Sequence, residues 1–123
     1  MTAIEATRAG DPIALAEIIK KGTDLDVIDA NGMTPLMIAA EAKRLDIVRL
    51  LVKAHVALNA QDKWGQTALM LAAGKGDAFT VKALIAAGAN LQMAANNGLT
   101  ALGYAIDNSA REVARLLRQA GAR

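Results

Sequence analysis

The sequence predicts an all-α solenoid of four helix-turn-helix units, and three observations point to it. A ten-residue segment recurs as NGMTPLMIAA from Asn31, WGQTALMLAA from Trp64 and NGLTALGYAI from Asn97, each 33 residues after the last. A fixed period of this size marks a repeat architecture, in which each unit buries its apolar face against its neighbours. The apolar residues are also small. Hydrophobic residues make up 54% of the chain and aromatics only 2%, so alanine, leucine, isoleucine and valine must fill the core. Such side chains suit closely stacked helices better than a sheet sandwich. Finally, helix-start and helix-stop residues fall at fixed places in the frame.

The first unit, 1–30, contains ATRAGDPIALAEIIKKGTDLDVID and lacks a leading turn; Gly10 separates its helices and Gly22 stops the second. The second unit, 31–63, opens on Thr34-Pro35. A threonine can cap a helix by accepting a free backbone N–H, and proline is tolerated at the first helical position. Ala39-Ala40 then let a neighbouring helix approach closely, and IVRLLVKAHVALNA follows as the second helix and its exit. The third unit, 64–96, keeps the cap as Thr67-Ala68 and the small pair as Ala72-Ala73, turns at GKGD, and ends its second helix at Gly88. The fourth, 97–123, starts its helices at Thr100-Ala101 and finishes in VARLLRQAGAR, with Gly121 in the stop position.

DANGMTPLMIAAEAKRLDIVRLLVKAHVALNAQDK resembles the ankyrin repeat nearly throughout, and the resemblance covers essentially the whole chain. It implies antiparallel helix pairs stacked side by side, with hairpin loops projecting at roughly a right angle. The departures are local. Met37, Met70 and Gly103 stand where the family has histidine, so the threonine–histidine hydrogen bond is missing and a less rigid turn is expected. His55 replaces the stop glycine, at a cost on the order of 1 kcal/mol for a left-handed non-glycine residue. Lys43 replaces the inter-helix glycine found at Gly10 and Gly76.

The two ends read as polar caps, which a solenoid needs to stay soluble. One first-helix position runs Glu5, Ile38, Leu71, Tyr104, and one second-helix position runs Glu17, Leu50, Ala83, Leu116. At the far end Leu45 and Ala78 give way to Arg111, and Val52 and Ile85 to Arg118. This pattern reads as a complete small protein or a cleanly bounded single domain. The alanine-rich, cysteine-free composition suggests a bacterial protein. The N-terminus lacks the pattern of a signal peptide, which points to the cytoplasm, or to the periplasm if a leader was trimmed.

Little in the chain suggests chemistry. A charge of +2 is too small to imply a nucleic-acid or membrane surface, and no apolar run reaches the roughly 18 residues of a membrane span. One histidine, one tyrosine, one serine and no cysteine give no nucleophile–base pair and no expected catalytic role. DLDVIDANG from Asp24 resembles a calcium loop only briefly, because the turn glycine is Asp29 and the closing glutamate is Pro35. GKGD lacks the fuller phosphate-loop pattern. Arg111, Arg115 and Arg118 share a helix face, but no aromatics interleave to stack bases. No metal and no cofactor is expected.

The remaining function is recognition. The ankyrin resemblance implies a non-catalytic module that binds a protein through hairpin tips and the concave face of the first helices. Mapped onto this chain, the expected partner-binding residues are Met33, Lys63, Trp64, Gln66, Lys75, Asn97 and Leu99. Trp64, the only tryptophan, is either displayed with Met33 and Leu99 as an apolar anchor or folded over an adjacent hairpin. A protein partner, to a monomer or weak homodimer, is one reading; self-association through the same patch is the other.

Overall fold

The computed structural model describes all 123 residues. It contains eight helices and no strands: α1 (Ala3–Arg8), α2 (Pro12–Lys20), α3 (Pro35–Glu41), α4 (Leu45–Lys53), α5 (Ala68–Gly74), α6 (Ala78–Ala86), α7 (Ala101–Asp107) and α8 (Arg111–Gln119). The all-helical fold expected from the repeats is present. Connections within pairs are only three residues long, so paired helices run antiparallel. The first helices α1, α3, α5 and α7 pack in one row, the second helices α2, α4, α6 and α8 in another, and each pair joins the rows.

The boundaries follow from the caps. Thr34, Thr67 and Thr100 accept the N–H of Met37, Met70 and Gly103 from an extended backbone. Asp11 and Asp77 cap α2 and α6 in the same way, through Ala14 and Thr80. Arg44 and Ala110, at the equivalent positions of α4 and α8, provide no side-chain cap. The left-handed stops lie where the frame puts them: Lys43, His55 and Ser109 have φ of 58°, 61° and 56°. Lys43 and His55 were expected there. Ser109 occupies the inter-helix position of the last unit and passes unnoticed in the sequence.

The mid-helix alanines Ala39, Ala40, Ala72 and Ala73 are buried, with Leu36, Met37, Leu69 and Met70 beside them, in one continuous core that includes Leu15, Leu51, Leu84 and Leu117. The two methionines therefore fill space in the core. Met70 also replaces part of the missing histidine bond, because its Sδ accepts the Thr67 N–H at 3.5 Å. At the ends, Glu5, Glu17, Arg111 and Arg118 are exposed, as caps require. The C-terminal cap is less polar than the sequence suggests. Ile106 occupies the position of buried Ala73 yet is exposed, beside a hollow of about 340 Å³ bordered by Arg111 and Arg118.

Candidate functional site

Each hairpin tip closes on two backbone bonds: Asp29, Asp62 and Ala95 N–H donate to the carbonyls of Met33, Gln66 and Leu99, and Gly32, Gly65 and Gly98 N–H donate back to those of Asp29, Asp62 and Ala95. The aspartates brace the first two. Asp29 Oδ1 accepts the amides of Asn31 and Met33 at 2.8 and 2.9 Å, and Asp62 Oδ1 those of Trp64 and Gln66 at 3.0 and 2.8 Å. Ala95 cannot do this, so Asn97 Oδ1 takes over by accepting from Leu99 N–H at 3.0 Å.

Successive tips are then tied to one another. Lys63 N–H donates to Asn31 O at 3.0 Å, and Asn96 N–H to Trp64 O at 2.9 Å. Asn96 Nδ2 adds a bond to Lys63 O at 3.0 Å. The second and third tips approach closely because Gly65 has no side chain. A Cβ there would lie 2.6 Å from Asn96 Oδ1 and 2.8 Å from Asn96 N.

Trp64 is held at this junction and is 48% exposed. The Lys63 ammonium sits 4.5 Å from its ring centroid, a contact worth about 0.5–1 kcal/mol at an exposed site. On the fourth unit's side, Trp64, Gln66, Asn96, Asn97 and Tyr104 line an open cleft of about 430 Å³. Tyr104 organises it. Its Oη accepts from Gln66 Nε2 and from Asn97 Nδ2, both at 3.2 Å, and donates to no group of the chain. The cleft thus combines an indole, a phenol with a free donor, and amide groups fixed across two units. The cleft holds no nucleophile–base pair.

The expected site residues separate into two sets. Trp64, Gln66 and Asn97 meet in the cleft, and Lys63 covers the indole. Met33 is half-buried and packs against the core. Leu99 folds back over Gly103, its Cδ2 3.0 Å from where a Cβ would stand there. Lys75 is exposed at the end of α5, outside the cleft. Tyr104 and Asn96 are missing from the sequence-derived set. Tyr104 reads in sequence as one member of an apolar row, and only the fold brings it against residues 38 positions earlier. The most exposed aromatic is Phe79, at 69%, on the second-helix row at the opposite end of its unit from the tips. No group of three or more histidine, cysteine or acidic residues is arranged to hold a metal, and no helix is long and apolar enough to cross a membrane.

A family model described as ankyrin repeats, in three copies, matches residues 2–93 and 52–123. No curated protein shows significant similarity to the chain.

Proposed function

The chain belongs to the ankyrin-repeat family, whose members are generally protein–protein interaction modules, and on that premise we propose that it is a non-catalytic binding module gripping a partner at the Trp64 cleft. One observation supports this most: a half-exposed tryptophan beside a polar cleft whose walls come from two units. Tryptophan dominates many interfaces because it removes a large apolar area from water with few torsions to freeze. Gln66, Asn97 and Tyr104 supply the polar rim, Lys63 borders it, and Lys75 adds a cation at the far end of α5. Met33 and Leu99 act by holding the tips in place as well as by contact. The concave face of the first helices extends the surface inward.

Trp64→Ala should unfold cooperatively, as the wild type does, while partner capture from an extract of the native source weakens at least tenfold. Unchanged capture would refute the proposal. A dilution series by light scattering separates it from self-association, since a mass that doubles with concentration and stays monomeric in Trp64→Ala would assign the patch to a homodimer.

A further inference from the structure

Tyr104 faces the Trp64 cleft with most of its bonding already fixed. A phenol oxygen can accept through its lone pairs and donate its one proton. Here it accepts twice, from Gln66 Nε2 and Asn97 Nδ2 at 3.2 Å. The Asn97 contact has only one orientation, because the other end of that amide, Oδ1, accepts from Leu99 N–H at 3.0 Å. The Tyr104 hydroxyl is therefore left as a donor, with no acceptor in the chain. The indole N–H of half-exposed Trp64 is a second free donor, and an indole cannot accept. The Lys63 ammonium, 4.5 Å from the indole centroid, places a positive charge beside them.

No negative charge meets these groups inside the cleft. The five residues that line it, Trp64, Gln66, Asn96, Asn97 and Tyr104, include no acid. The carboxylate of the same tip, Asp62, is engaged elsewhere: its Oδ1 accepts the Trp64 and Gln66 amides and its Oδ2 is enclosed by the chain. The cleft itself is open. Its volume of about 430 Å³ lies toward the small end of ligand pockets, which run from about 300 to 1,000 Å³, so it admits a side chain and not a helix. The combination also occurs once along the array. The tyrosine position holds Ile38 and Leu71 in the two preceding units, and the tryptophan position holds Asn31 and Asn97 on the other tips.

We propose that the cleft takes the side-chain carboxylate of an aspartate or glutamate in the protein partner, with Tyr104 Oη as its donor, Lys63 balancing its charge and the Trp64 indole walling it. A carboxylate suits this set better than a neutral carbonyl, because a hydrogen bond to an ionised acceptor is roughly twice as strong. The ammonium favours the charged acceptor further. The inference rests on the protein-binding reading and names the partner's chemistry at that site, an acidic segment. Since Tyr104 and Trp64 meet at one junction only, the acid also sets the register in which the partner lies.

The test uses an alanine pentapeptide with glutamate at its centre, blocked at both ends, and the same peptide with glutamine as neutral isostere. Binding is followed by NMR through the indole N–H signal of Trp64, the only tryptophan. A saturable shift is expected with the glutamate peptide, and at least tenfold weaker binding with glutamine. N-acetyl-alanine, which carries only a terminal carboxylate, should bind at least fivefold more weakly than the glutamate peptide. Tyr104→Phe keeps the ring and every charge, and should bring the preference for glutamate over glutamine below threefold. Lys63→Gln leaves the Tyr104 hydroxyl in place and should reduce that preference as well. Equal binding of the two peptides, equal binding of N-acetyl-alanine, or a preference unchanged in either variant would overturn the proposal. Because these probes are not the partner, the carboxylate preference can fail while Trp64-dependent capture persists.

Discussion

Replacing Gly65 and Gly98 by alanine, each alone, tests how the candidate site is assembled. Both glycines occupy the same turn position and both are left-handed, with φ of 76° and 85°. Nothing lies within 4 Å of a Cβ on Gly98, so Gly98→Ala carries only the left-handed penalty of about 1–2 kcal/mol, offset by about 0.4–1 kcal/mol of lost unfolded-state entropy. A net loss of about 1 kcal/mol is expected. Gly65→Ala meets Asn96 backbone at 2.8 Å, which cannot rotate away. Moving it breaks the Asn96 N–H bond to Trp64 O and the Asn96 Nδ2 bond to Lys63 O. At about 1 kcal/mol each, the total loss becomes about 3 kcal/mol. For this length the two values correspond to falls in Tm of roughly 4 and 12 °C. Thermal and urea unfolding followed by circular dichroism give the stabilities, and Trp64 emission should shift to the red only in Gly65→Ala. Equal losses in the two variants would show that the tips are not locked together as described.

Three further outcomes follow from individual positions. His55→Gly should stabilise by about 0.5–1 kcal/mol by relieving a left-handed backbone whose side chain makes no hydrogen bond; a lower urea midpoint would contradict this. Ala110→Asp should add about 1 kcal/mol, because Ala110 (φ −85°, ψ 76°) has nearly the backbone of the capping Asp77 (φ −85°, ψ 90°); no gain in Tm would contradict it. The Asp29 carboxyl is held below the usual range chiefly by the Met33 amide, with Asn31 and Arg8 adding to it. It therefore contributes stability that is present above about pH 4 and lost as pH falls through its lower folded value. Asp29→Asn should lose stability less steeply in that acid range, as read from unfolding free energy against pH, and an unchanged slope would refute the assignment.

The fold was legible because its determinants are local and periodic. A threonine cap, a small-residue pair and a left-handed stop can each be located from their neighbours in sequence, and 33-residue spacing then stacks them. The candidate site was legible in part. Trp64, Gln66 and Asn97 could be placed on tips by the frame, yet the frame does not say where a tip side chain points. Met33 and Leu99 turn inward, against the core and against Gly103, for packing reasons that periodicity does not encode. Tyr104 was hidden for a different reason. Its hydroxyl links two units, so its role appears only when the second tip, which carries Gln66, and α7 are side by side.

The most direct measurement compares two exposed aromatics as rivals for the partner. Trp64 lies at the hairpin tips, while Phe79, more exposed, lies on the second-helix row. Calorimetric titration of the captured partner into Trp64→Ala and Phe79→Ala decides between the surfaces. The account predicts at least a tenfold rise in Kd for Trp64→Ala and a change under twofold for Phe79→Ala. A partner that binds Trp64→Ala normally and loses affinity for Phe79→Ala would contradict it.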